Sequence, residues 1–108
     1  MSKITLTYDK TEYTLEYSRQ SVKTMESQGF VLDEITSKPM TMIPMLFSGA
    51  FIKNHRGTKR STIDDIYDNI VDKTGLMAAL MEMYAETLST LTEDSANNEG
   101  NVAWAVVK

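Results

Sequence analysis

The sequence predicts an α+β fold, mostly helical, in which an N-terminal β-hairpin packs on a bundle of about four helices. Behind this lie strict alternation of apolar and polar residues at the start, later stretches of helical periodicity, and glycines placed as helix stops. A chain of 108 residues supports one hydrophobic core. The elements therefore belong to a single domain, residues 1–92, and residues 93–108 form a flexible linker and tail.

Ile4, Leu6 and Tyr8 alternate with Thr5 and Thr7, and Tyr13, Leu15 and Tyr17 alternate with Thr14 and Glu16, which gives two half-buried strands around a turn at Asp9 and Lys10. An isolated hairpin is marginal, so its Ile/Leu/Tyr face must lie on the helices that follow. Ser18 is suited to cap the first helix, residues 19–28, with Tyr17 stapled onto Val22 and with Val22 and Met25 turned inward. Gly29 ends that helix in the left-handed conformation and places Phe30 against Met25. Residues 30–38 read as a connector with a single turn at 33–35, and Pro39 pushes Lys38 toward extended geometry.

The second helix is expected over residues 41–53, with Pro44 in its first turn, where a missing N–H has no intrahelical partner to lose. Across residues 38–55, methionine, aliphatic and aromatic side chains fill most positions. Ile43, Phe47, Ala50 and Phe51 share one face, while Met42, Met45, Leu46 and Ile52 spread onto another. A helix apolar most of the way round needs covering on more than one side. That excess makes Met42, Met45, Leu46, Phe47, Phe51 and Ile52 the candidate residues for contact with a partner protein or a second copy. The competing reading is that the methionines fill gaps in an irregular core.

Residues 54–60 read as an exposed polar loop, and Ser61 or Thr62 as the cap of a third helix whose inward stripe is Ile63, Ile66, Tyr67, Ile70 and Val71. Gly75 is expected to end it, with Leu76 touching Val71. The fourth helix follows over residues 76–91, with Met77, Leu80, Met81, Tyr84, Leu88 and Leu91 inward and Glu82, Glu86 and Ser89 outward. Residues 93–101 have the composition of a linker. The β-prone residues 102–107 then either return as a strand or hang free with Trp104 exposed.

The net charge of −4 disfavours a general polyanion binder, which needs an excess of Lys and Arg on one face. Without cysteine there is no disulfide framework or thiol nucleophile, a usage that suits a reducing compartment. The N-terminus alternates where a signal peptide would be continuously apolar, and no apolar run is long enough to cross a bilayer, so neither secretion nor membrane insertion is expected.

Three groups of residues invite a chemical reading. Ser48 with His55 would be nucleophile and base, but no residue is evident to orient the histidine, and a solvated His55 is the favoured reading. Asp64, Asp68 and Asp72 fall on one helical stripe, where a solvated acidic face is favoured over a metal site. Lys53, His55, Arg56, Lys59 and Arg60 cluster around Gly57 without the spacing of a phosphate loop or interleaved aromatics for base stacking. No metal, cofactor or catalytic site is expected.

The order of these signals carries a resemblance. YDKTEYTLEYSRQSVKTMESQGF, KPMTMIPMLFSGAFIKNH, STIDDIYDNI and GLMAALMEMYAETLSTL, together spanning most of residues 4–91, resemble the small tail assembly chaperone-like proteins of long-tailed bacteriophages and prophages. The resemblance implies a non-enzymatic protein of the host cell cytoplasm that binds the long, helical tape-measure protein and keeps it soluble during tail morphogenesis. It also implies, for many members, a longer product made by frameshifting, for which residues 93–101 are the expected junction. A homo-oligomer fits as well. The rival expectations are a tail completion or connector subunit and a small regulatory nucleic-acid binder using the basic cluster.

Overall fold

A computed structural model describes residues 2–93 and 102–107. The fold is α+β and mostly helical: a two-stranded antiparallel hairpin, β1 (Ile4–Tyr8) and β2 (Thr11–Leu15), followed by helices α1 (Arg19–Ser27), α2 (Pro39–Gly49), α3 (Ile52–His55), α4 (Arg60–Asp68) and α5 (Lys73–Ser89). Among the described residues no helix is long and apolar enough to cross a membrane.

The hairpin pairs Ile4 with Leu15, Leu6 with Tyr13 and Tyr8 with Thr11. Asp9 and Lys10 both take positive φ, 49° and 66°, as a two-residue turn matched to strand twist requires. α1 begins as expected. Ser18 Oγ accepts from the Ser21 amide while Ser21 Oγ accepts from the Ser18 amide, a reciprocal cap built from two serines. It also ends as expected. Gly29 has φ of 99°, its amide reaches the Glu26 carbonyl, and the Phe30 amide reaches the Met25 carbonyl, which satisfies two orphan carbonyls at the helix end. The connector holds a short 3-10 turn at Leu32–Glu34.

The predicted second helix is two helices, and it starts earlier than expected. Pro39 occupies its first turn, which leaves Pro44 inside α2. The carbonyl that the Pro44 amide would have met belongs to Met40, a residue 89% exposed, so the missing bond falls in an exposed first turn. Near Gly49 the helix tightens, with the Ala50 amide bonding the Phe47 carbonyl and the Phe51 amide that of Ser48. The Glu16 amide takes the Ala50 carbonyl at 3.1 Å and the Tyr17 hydroxyl takes that of Leu46 at 2.5 Å. The chain leaving β2 thus draws off carbonyls that an unbroken helix would have used, and α3 follows as a separate short turn.

The next boundary also differs. α4 starts at Arg60 after Lys59, so Ser61 and Thr62 lie within it and Lys59 provides no side-chain cap. Ile63 and Ile66 are buried and Tyr67 and Ile70 half-buried, but Val71 lies outside the helix and is 91% exposed. Gly75 ends nothing: it sits in the first turn of α5, where Asp72 in the left-handed conformation caps the helix by accepting the Gly75 amide at 3.1 Å. A β-carbon at Gly75 would fall 2.3 Å from Asp72 Oδ2, so the glycine is needed by the cap and not by a helix stop.

α2 is the central element, packed against α1, α4 and α5, while α3 lies on β2. The core joins Leu15, Tyr17, Met25, Phe30, Leu46, Phe47, Phe51, Ile66, Leu80 and Tyr84 among others. Gly49 lets the buried Met25 side chain of α1 pack onto the α2 backbone, since a β-carbon there would lie 2.3 Å from Met25 Sδ.

Candidate partner-binding surface

Four of the six residues singled out for partner contact lie inside this core. Met42, Leu46, Phe47 and Phe51 are buried, while Met45 and Ile52 are half-buried. The apolar excess of α2 is covered by the chain's own helices, so in this conformation those four side chains have no surface to offer a partner. Phe47 and Phe51 meet edge to face at 5.2 Å, and Phe47 meets Tyr67 likewise at 5.3 Å, which ties α2 to α4. What α2 leaves outside is Met40 with Thr41, Pro44 and Met45, which line a shallow depression that also touches Ser48 and Arg60.

A second apolar surface lies along α5 and just past its end. Leu80, Met83, Tyr84 and Thr87 face inward, whereas Met81, Leu88 and Leu91, expected in the core, are exposed. α5 is apolar over most of its girth, so spacing alone did not fix which side meets α1 and α2. The Tyr84 ring settles it, packing edge to face with Tyr17 at 5.5 Å and Phe30 at 5.1 Å. Leu88 and Leu91 border a cleft between α1 and α5 that is also lined by Val22, Arg19, Lys23 and Glu26. The signal for this surface was in the sequence, as the same all-round apolarity that marked α2.

The polar candidates are engaged elsewhere. His55, expected in a solvated loop, is half-buried on α3, and its Nε2 accepts the Thr14 amide at 2.9 Å while its ring meets Tyr13 edge to face at 5.1 Å. Ser48 and His55 border one cleft, yet the Ser48 hydroxyl donates to the Met45 carbonyl and the imidazole acceptor faces the hairpin. Lys53 pairs with Glu16 at 3.0 Å, and Arg60 lies 3.9 Å from Asp64. The hydrogen bond from Asn54, then the one from Lys53, hold the Glu16 carboxyl below its ordinary value. Asp72 is committed to the α5 cap, and among the described residues no group of acidic or histidine side chains is arranged to hold a metal ion.

Comparison with curated proteins and with solved structures returns no match. A family model described as a domain of unknown function, DUF5055, matches residues 1–107, which takes in the helical body and the tail alike. The chain belongs to the DUF5055 family.

Proposed function

We propose that this protein is a tail assembly chaperone of a long-tailed bacteriophage, a non-enzymatic holdase that binds the tape-measure protein in the host cytoplasm. The reading draws on the resemblance of residues 4–91 to such proteins, and one structural observation carries the binding surface: Leu88 at the end of α5 and Leu91 just past it line the cleft to α1, with Met81 reaching solvent further back along α5. Thioether and leucine side chains adapt to many apolar helices at little cost, which suits a long client that presents similar segments in succession. Arg19, Lys23 and Glu26 along the same cleft supply both signs of charge for the polar flank of an amphipathic helix.

Co-expression with segments of a tape-measure protein encoded beside it tests this. The wild type should keep at least one otherwise insoluble segment in solution, and Met81→Glu with Leu88→Glu should abolish that while circular dichroism stays native, because both side chains, 37% and 36% exposed, reach solvent and a carboxylate there can turn into water. A wild type that solubilises no segment would overturn the chaperone reading. Solubilisation that survives the double variant would move the binding surface to the Met40 and Met45 side of α2.

A further inference from the structure

The two edges of the hairpin are treated differently. On β2, the Thr14 amide donates to His55 Nε2 and the Thr14 carbonyl accepts from Asn54 Nδ2 at 3.2 Å, so α3 covers that edge. Both Thr14 groups therefore point away from β1. In an antiparallel ladder, residues whose amide and carbonyl face outward alternate with residues that bond across the pair, and opposed residues behave alike. Thr5 is opposed to Thr14, and Thr7 to Glu12. The amides and carbonyls of Thr5 and Thr7 consequently face outward along the far side of β1, where no backbone partner is found among the described residues. That edge has no proline, lysine or bulge to block another strand.

The core also stops short at β1. Leu15 on β2 is fully buried, while Ile4, Leu6 and Tyr8, on the same face of the sheet, are only half-buried. One more strand would cover them. The chain carries a segment of the right chemistry: residues 102–107 stand exposed, with Val102, Trp104 and Val106 alternating with Ala103, Ala105 and Val107. Trp104 is 84% exposed. A face of Val, Trp and Val on an added strand would continue the Ile4, Leu6 and Tyr8 face, and β-branched and aromatic residues suit a half-buried strand.

We propose that residues 102–107 of one copy add as a third strand to the open edge of β1 in a second copy, so that subunits join head to tail. In the conformation described, the tail is exposed while the edge stands open, so each chain presents a donor and an acceptor at once. The eight intervening residues, 94–101, span up to about 26–29 Å when extended, enough to carry the strand onto a neighbour. Main-chain bonds from Thr5 and Thr7 supply the register, and the inward Val and Trp side chains supply apolar cover. The contact joins two different surfaces of the chain, so it propagates into a ring or filament.

Two full-length variants isolate the halves. Thr5→Pro with Thr7→Pro removes the outward amides and leaves the hairpin bonds at Ile4, Leu6 and Tyr8 in place, whereas Trp104→Glu with Val106→Glu spoils only the exposed tail. Light scattering after size exclusion should show wild-type mass rising with concentration, each variant monomeric alone, and their equimolar mixture giving a species of two chains. Trp104 is the sole tryptophan, so wild-type emission should shift to the blue as concentration rises and should not shift in the proline variant. This fluorescence comparison on the wild type stands even if the proline variant misfolds. A wild type that stays monomeric with concentration-independent emission would overturn the proposal, as a free tail or as one closed on its own β1. Assembly that persists in the Trp104→Glu, Val106→Glu variant would overturn it in favour of another surface.

Discussion

The Tyr17 hydroxyl donates to the Leu46 carbonyl at 2.5 Å, joining the exit of the hairpin to the middle of the central helix. Leu46 has this carbonyl to give because the Ala50 amide turns to Phe47 as α2 tightens toward its end. Both residues are buried, so removing the hydroxyl strands an acceptor out of reach of water. Tyr17→Phe is expected to cost about 1–3 kcal/mol in denaturant unfolding. Burial, and then the neighbouring Tyr84, pushes the Tyr17 phenol far above its ordinary value of 10.0. The folded protein therefore keeps a proton that the unfolded chain loses, and stability should fall as pH rises past about 10. Tyr17→Phe should flatten that alkaline limb; an unchanged limb would assign it to other groups.

Glu16 governs the opposite end of the pH range. Its carboxyl, held below the ordinary 4.5 by Asn54 and then Lys53, contributes stability that is complete above that ordinary value and is lost as pH falls through the lower folded-state value. Urea midpoints measured from about pH 6 down to about pH 3 should drop more steeply for the wild type than for Glu16→Gln, and the two should converge at the acid end. Parallel curves would show that this carboxylate gains nothing on folding.

His55→Phe keeps a ring against Tyr13 and Phe51 but removes the acceptor for the Thr14 amide. A half-buried amide without a partner should lower stability by about 1–3 kcal/mol. Amide exchange at Thr14 should quicken selectively. If exchange there is unaltered, His55 is not what covers the outer edge of β2.

How much of this was legible in the sequence depended on how far each determinant lay along the chain. Ser18 and Gly29 were readable because a cap and a left-handed stop are settled by residues within one turn. The break after Gly49 was not readable, since Glu16 and Tyr17 take the Ala50 and Leu46 carbonyls from a distant part of the chain. Gly75 is ambiguous in the sequence because a glycine serves a helix stop and a crowded N-terminal cap equally well, and only the position of Asp72 distinguishes them. The apolar excess of α2 signals a demand for cover on several sides. Spacing alone leaves open whether the chain's own helices or a partner provide that cover, and in the structure α1, α4 and α5 provide it for Met42, Leu46, Phe47 and Phe51.

Met42 and Met45 separate these two roles experimentally. Met42 is buried, its sulfur 3.5 Å from the Val31 amide, so Met42→Glu would place a carboxylate in the apolar core. Loss of the cooperative unfolding transition, or a drop of at least about 3 kcal/mol, is the expected result. Met45 lines the surface depression with Met40 and Pro44 and is only half-buried, so its side chain can turn toward water. Met45→Glu should stay within about 1 kcal/mol of the wild type. Thermal and urea unfolding of the two variants side by side provide the check. A stable Met42→Glu protein would mean that this face of α2 opens in solution and is available to a partner after all, whereas collapse of both variants would place Met45 in the core as well.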